Sequence, residues 1–585
     1  MDFDSPVFRR RSLAPAILTA TVLSLGLITV TPAAAQNTGA DCSGIASTDF
    51  PNPTTQITSA EFQEAHTAQG RTPAAPDHCE VLGRMNERTG MFGQPYAIRF
   101  HMRLPVEWNG KFFFEGGGGS NGNLGMAYGN LQGGQPENAL QLGYAVVSTD
   151  SGHDNQVNND PERGGTTTFG FDPQARIDFG YNSYDQVTQA AKAIIAQHYG
   201  RAPERSYYVG CSEGGREAMM MSQRFPDYFD GILACAPGMS LQEAALFGHS
   251  WDVQSFAQAA EAIGAEGSAG EPLLNKTFTD EDLNLAAKAV LKACDGLDGL
   301  EDGLIDDFTG CTTAVVDPEL ASITCSGEKT ASCLTATQVD ALKRVYGGAR
   351  DSDGDILYAD WAWDRGIGGE LPNGYNMGWR IWKIGMYPSP QNSAIITGLG
   401  GGAVAAVFTT PPTQLPGAGP EVVEYLDGID INTAAPLLEA TSGEYTTPVA
   451  DFMKADSTDL DPFKDHGGKL VIVQGVSDPV FSIMDTVHWW DRVNALQGGE
   501  ASDFVRLFAV PGMNHCAGGP ATDQYNAFGA LVDWVENGKA PDRITATAGA
   551  NTPWPGRTRP LCAYPKQARY SGKGSIEDAA SFVCE

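Results

Sequence analysis

Serine, histidine and acidic residues occur in this chain at spacings that suit nucleophilic chemistry. The segment Ser206-Tyr-Tyr-Val-Gly-Cys-Ser-Glu-Gly-Gly-Arg-Glu contains Gly210-x-Ser212-x-Gly214. That pattern marks a strand turning sharply into a helix with the serine held exposed at the bend. Glycines two before and two after the serine remove Cβ atoms that would clash in such a turn. A serine nucleophile needs a base, and the base needs an orienting acid. In this type of turn the chain order is serine, acid, histidine. His515, in Pro511-Gly-Met-Asn-His-Cys, follows an apolar run at 504–510; Asp478 ends the run Leu470-Val-Ile-Val-Gln-Gly-Val-Ser-Asp. Asp485 and Asp491 are rival acids, but they fall in the helix-like segment that follows. Ser212, Asp478 and His515 together predict acyl transfer through a serine.

The oxyanion of such a reaction needs two backbone N–H donors. One is the residue after the nucleophile, Glu213. The other is expected in Lys111-Phe-Phe-Phe-Glu-Gly116-Gly-Gly-Gly119-Ser-Asn-Gly, where glycines let the backbone approach a substrate oxygen. No Lys-Ser/Thr pair follows that run, which rejects a phosphate loop. Cys211 precedes Ser212 and Cys516 follows His515, so a bond between them would tie the nucleophile turn to the histidine loop. A second cluster of chemistry lies at Cys294-Asp-Gly-Leu-Asp-Gly-Leu-Glu-Asp-Gly-Leu-Ile-Asp, with acids at 295, 298, 302 and 306. Hard oxygen ligands between turn-forming glycines suit Ca²⁺, although the spacing is not that of an EF-hand. Asp351-Ser-Asp-Gly-Asp355 lacks a strong acid at the twelfth position and reads as a polar turn.

These residues need a scaffold. Short apolar runs at 111–114, 144–148, 206–209, 231–235, 470–473 and 504–510 read as buried strands. Helical spacing follows at 184–199 and 215–225, which argues for a parallel sheet with helices on both faces. From 238 to about 464 the pattern breaks into Gly-, Pro- and Trp-rich sequence with isolated helices at 280–293 and 337–346. One sheet interrupted by a long insertion explains this better than tandem domains. The expected organisation is 1–35, 36–237, 238–464 (a lid) and 465–585. Hydrophobic residues at 42 % support a packed core, and a formal charge of −33 argues against nucleic acid or an anionic membrane as partner. Residues 1–35 read as a signal peptide: Arg9-Arg10-Arg11, an apolar stretch, then Ala33-Ala34-Ala35. The mature protein is therefore expected to be soluble and secreted or periplasmic, where its 11 cysteines can oxidise. A serine peptidase and an inactive binding protein are the rival readings. The intact Ser, Asp and His set speaks against the second, and no organic cofactor motif is present.

The Gly-Cys-Ser-Glu-Gly-Gly-Arg turn, Gly-Val-Ser-Asp478-Pro and Asn-His515-Cys together resemble the tannase and feruloyl esterase family, from about Cys42 to the C-terminus. The resemblance implies an α/β-hydrolase fold with a large lid between nucleophile and acid, and hydrolysis of small esters of aromatic, phenolic acids. It implies disulfides Cys42–Cys79, Cys211–Cys516, Cys294–Cys311, Cys325–Cys333 and Cys562–Cys584, with Cys235 free. It singles out Gly118 as the second oxyanion donor and Phe481 as a pocket residue. It also implies a structural Ca²⁺ held by the Asp295, Asp298 and Asp302 side chains and the Leu300 and Leu304 carbonyls. Of the lid aromatics Trp361, Trp363, Trp379 and Trp382, the last is taken as the pocket tryptophan. Family members that act on terephthalate monoesters hold the distal carboxylate with a lid arginine beyond that tryptophan. Here no arginine occurs between Ile381 and Asp491, and 398–408 is small and apolar. That favours an uncharged phenolic acyl group over terephthalate, unless Arg344, Arg350, Arg365 or Arg380 is folded inward.

Overall fold

Strand segments that are apolar on both faces must be covered on both faces, and this governs the architecture. The structure is a computed structural model and describes residues 41–368, 371–372 and 378–585. The signal-peptide reading of 1–35 lies outside the described residues. The strands are β1 (Gln56–Gln63), β2 (His78–Thr89), β3 (Pro95–Pro105), β4 (Lys111–Glu115), β5 (Ala145–Thr149), β6 (Arg205–Cys211), β7 (Gly231–Cys235), β8 (Lys469–Gly475) and β9 (Val505–Val510). They form one sheet in the order β1-β2-β3-β5-β4-β6-β7-β8-β9. Neighbours from β5 to β9 are parallel. Phe112, Phe113, Phe114, Tyr207, Tyr208, Ile232, Leu233, Leu470, Val471, Ile472 and Val473 are all fully buried. Consecutive buried residues point to opposite faces, so these strands read as unbroken apolar runs.

β1, β2 and β3 are antiparallel additions absent from the sequence reading. In β2 the buried Val81, Gly83 and Met85 alternate with partly exposed Glu80, Leu82 and Arg84. One face is packed and one is wet, so no apolar run forms.

The helix Ser183–Tyr199 buries Val187, Ala190, Ala191, Ile194 and Ile195 and ends at Gly200 in the left-handed region. β7 and β8 lie side by side, with Gly231 opposite Lys469, although residues 236–468 intervene. That insertion is helical. Thr279 and Thr335 begin Asp280–Cys294 and Ala336–Tyr346 with reciprocal capping boxes, which satisfy first-turn N–H groups. After β9 come the helix Ala527–Asn537, a small sheet of β10 (Gln524–Tyr525), β11 (Arg543–Thr547) and β12 (Thr558–Cys562), and the pair β13 (Ala568–Tyr570) and β14 (Phe582–Cys584). Sheet and insertion belong to one compact unit. No helix among the described residues is long and apolar enough to cross a membrane.

Five disulfides join Cys42–Cys79, Cys211–Cys516, Cys294–Cys311, Cys325–Cys333 and Cys562–Cys584. Cys235 is a buried free thiol.

Candidate active site

In parallel α/β sheets ligand sites form beyond the carboxyl ends of the strands, and there β6, β8 and β9 deliver the three residues singled out above. Ser212 follows β6 with φ 64° and ψ −122°. This strained turn is possible because its glycines leave room. A Cβ on Gly210 would stand 2.4 Å from the Gly214 carbonyl oxygen, and one on Gly214 would stand 2.6 Å from that of Gly117. His515 Nε2 lies 2.8 Å from Ser212 Oγ. His515 Nδ1 lies 3.0 and 2.9 Å from the two Asp478 oxygens. Asp478 Oδ1 also accepts the N–H groups of Val480 (2.8 Å) and Phe481 (3.2 Å), which holds the buried carboxylate towards the imidazole. The rival acids are elsewhere. Asp485 is buried on the helix Ile483–Leu496, and Asp491 accepts the Tyr564 hydroxyl.

Two further ties hold the loops. The Cys211–Cys516 bond links the residues flanking Ser212 and His515. Asp364, from the insertion, is fully buried and accepts Ser477 Oγ–H (2.5 Å), Gly366 N–H (2.9 Å) and Gly512 N–H (3.2 Å). It thereby clamps the loop of Asp478 to that of His515. On the nucleophile side Arg216 bonds both Glu213 oxygens and the carbonyls of Phe179 and Gly180. Burial pushes the Glu213 carboxyl up, and Arg216 opposes that shift.

The glycine loop after β4, where Gly118 is the expected second donor, is held by side-chain acceptors. Gly118 donates its N–H to Asn121 Oδ1 (2.8 Å), and Gly117 donates to Glu217 Oε2 (3.0 Å). Neither is open to a substrate. Gly119 lines the cavity beside Ser212 and Glu213, and no acceptor among the described residues takes its N–H. Gly119 N–H is therefore the N–H of this loop that stands beside Ser212 with no acceptor among the described residues. Asn121, which takes the Gly118 N–H, bonds Glu217 through Nδ2 (2.8 Å) while Glu217 also takes Tyr208 O–H (2.6 Å).

Ser212 opens into an apolar cavity walled by Phe169, Phe179, Leu241, Trp382, Ile396, Leu399, Phe408, Val480 and Phe481, among others. Trp382 and Phe481 pack edge-on against the His515 ring, with centroids at 5.1 and 5.6 Å. Trp361, Trp363 and Trp379 do not reach the cavity. They are core of the insertion, where Trp363 stacks on Tyr346 at 3.8 Å and Lys383 lies over Trp361. None of the four candidate arginines lines the cavity. Arg380 donates to the carbonyls of Asn275 and Phe278, Arg365 to Gly303, Arg350 to Gly347 and Gly354, and Arg344 to Gln258. Most wall residues had no sequence signal, because an apolar residue in the insertion looks the same whether it faces core or cavity.

The acidic loop after Asp280–Cys294 folds on itself. Asp295 accepts Gly303 N–H, Asp298 accepts Leu300 and Asp306 N–H, and Asp302 accepts Leu304 N–H while pairing with Arg559. Burial first, and then mutual repulsion among these acids, pushes Asp295 to about 6 and Asp298 to about 7. Among the described residues no three His, Cys, Asp or Glu side chains are gathered as a metal cluster. The donors are all hard oxygens, which is the chemistry Ca²⁺ takes. Asp351 accepts Asp353 and Asp355 N–H groups, the polar turn expected there.

The profile of the family described as Tannase and feruloyl esterase matches residues 79–585. The chain belongs to that family and is a carboxylic ester hydrolase of the α/β-hydrolase fold. It is 47 % identical over 549 residues to a mono(2-hydroxyethyl) terephthalate hydrolase of Piscinibacter sakaiensis, covering 92 % of this chain and 89 % of that one. It is 27 % identical over 504 residues to a probable feruloyl esterase B of Emericella nidulans, covering 82 % of each. Among solved structures, feruloyl esterase B from Aspergillus oryzae superposes with TM-score 0.69 at 22 % identity, covering 94 % of this chain and all of that one. Tannin acyl hydrolase from Aspergillus niger superposes with TM-score 0.64 at 20 % identity, covering 93 % and 95 %. The last two show the fold.

Proposed function

We propose that the protein is an exported serine esterase that cleaves esters of aromatic acids through an acyl-enzyme on Ser212. The observation that carries this is the unbroken hydrogen-bond chain Ser212–His515–Asp478 at the mouth of an apolar cavity. Ser212 Oγ attacks the ester carbonyl carbon while His515 Nε2 takes its proton. Asp478 holds the imidazole in the Nδ1–H tautomer and stabilises its cation. The N–H groups of Glu213 and Gly119 receive the negative oxygen. His515 protonates the departing alkoxide, and water then releases the acid by the same steps in reverse. Ser212→Ala in folded protein should lower kcat by several orders of magnitude; near-native turnover would refute the mechanism. Export rests on the N-terminal sequence and on five disulfides, which belong to oxidising compartments.

For the acyl group, the absence of lysine or arginine from the described cavity wall supports a phenolic acid. A distal carboxylate would lack a charged partner, at a cost of about 1.5–3 kcal/mol, or roughly ten- to hundredfold in affinity. The second reading, a terephthalate monoester, is favoured by the 47 % identical relative. Comparing kcat/KM for methyl ferulate and a gallate ester with that for mono(2-hydroxyethyl) terephthalate decides between them, and a clear preference for the last overturns the phenolic reading. We also propose that the loop from Asp295 to Leu304 takes a structural Ca²⁺ through Asp295, Asp298 and Asp302 with the Leu300 and Leu304 carbonyls. Its support is the all-oxygen donor set and the repulsion a cation would offset.

A further inference from the structure

One polar side chain in the cavity wall has no task in the chemistry above. His249 ends the π-helical segment Ala244–His249, lines the cavity and is 4 % exposed. Its Nε2 lies 3.2 Å from the Val480 carbonyl oxygen. A carbonyl only accepts, so Nε2 carries the hydrogen. Burial, reinforced by Lys383 nearby, pushes the imidazole down to about 3 and keeps it neutral in ordinary buffers. In this tautomer Nδ1 is a bare lone pair, and it is buried with no hydrogen-bond partner. It abuts Gly400, another wall residue, where a Cβ would stand only 3.0 Å from Nδ1.

Among the described wall side chains, His249 Nδ1 is the one buried polar atom with no hydrogen-bond partner. Glu213 is paired with Arg216, Thr167 Oγ1 donates to the Gly164 carbonyl, Ser120 Oγ donates to Thr166, and Ser212 is the nucleophile. A buried acceptor left without a donor is destabilising until something donates to it. A substrate hydroxyl can donate; a carboxylate or an ether oxygen cannot.

We propose that His249 is a specificity-determining residue whose Nδ1 accepts the phenolic O–H of a 4-hydroxyaryl acyl group. This rests on the reading of the site as an esterase for aromatic acids. A terephthalate carboxylate has no hydrogen to give and would meet this lone pair as acceptor against acceptor, a discrimination against that acid independent of the missing arginine.

The test uses the full-length enzyme and two series of methyl esters. One is cinnamate, 4-hydroxycinnamate and 4-methoxycinnamate; the other is the matching benzoates. The readout is the ratio of kcat/KM for the 4-hydroxy ester to those for its two analogues. His249→Phe should lower that ratio about tenfold in at least one series, the loss of one hydrogen bond. The series that responds identifies the acyl length. Gly400→Ala keeps the imidazole but puts a methyl against Nδ1, and it should lower the same ratio. It serves as the deciding variant if His249→Phe does not fold. A ratio unchanged within twofold in both series overturns the inference while leaving the esterase reading intact. Failure of the wild-type enzyme to hydrolyse any of the six esters overturns both.

Discussion

Removing the Cys211–Cys516 bond by the paired change Cys211→Ala and Cys516→Ala separates two roles that one covalent tie could have. The first is constraint of the unfolded chain. The bonded cysteines are 305 residues apart, and the loop-entropy relation for that length gives a ceiling of about 5.7 kcal/mol. Measured losses are usually about 2–4 kcal/mol, and that is the expected fall in unfolding free energy. The second role is positional. Each cysteine adjoins a reacting residue, and the Ser212–His515 contact is 2.8 Å. A misplacement of about 1 Å can cost about a hundredfold in rate. His515 keeps its bonds to Asp478, and its loop keeps the Asp364 tie, so the expected loss in kcat is about ten- to hundredfold rather than complete. The control is Cys562→Ala with Cys584→Ala, a bond across 22 residues in the C-terminal strands. The same relation gives it about 3.4 kcal/mol, and it adjoins none of Ser212, Asp478 and His515, although it packs against Leu300 of the proposed calcium loop. Denaturant unfolding and kcat on one aromatic ester are measured for both pairs. If the first pair loses stability but keeps kcat within twofold, as the control should, the bond is only a staple and the positional argument is wrong.

Asp364→Ala should lower kcat about tenfold or more with little change in KM, because it frees the loops of Asp478 and His515 without touching substrate. Asp364→Asn, which retains an acceptor, should recover part of that loss, and equal damage from both would refute the positioning role. Asp485 is buried, and burial with repulsion from Glu243 and Asp456 pushes its pKa from 3.8 to about 7. The folded state then holds a proton that the unfolded state releases, so this stability is complete below about pH 4 and lost as pH rises towards about 7, by about 4 kcal/mol at most. Asp485→Asn should flatten the urea midpoint between pH 5 and pH 8, and an unchanged pH slope would sink the assignment. Chelation with EGTA should lower the melting temperature and free calcium should restore it. Metal analysis of protein purified without chelator that finds no calcium would end the calcium proposal.

What the sequence determined by itself was local or terminal to a strand. Gly210-x-Ser212-x-Gly214 is legible because a bend that tight restricts residue types within two positions of the serine. Asp478 and His515 are legible because each ends an apolar run, and both faces of the central strands are covered. Tertiary structure decided everything that depends on partners distant in the chain. Gly118 and Gly119 are indistinguishable as letters. Only Asn121, held by Glu217 nearly a hundred residues later, takes one N–H and leaves the other open. By residue type alone the four insertion tryptophans read alike, and only the family resemblance singled out Trp382; packing sends the other three into the core and Trp382 to His515. His249 carried no motif at all. Its lone pair acquires meaning only because the Val480 carbonyl, brought in from the loop after β8, binds the opposite nitrogen. A hydrogen bond is short and directional, so which groups remain unbonded is a property of the folded contacts and is not written in residue spacing.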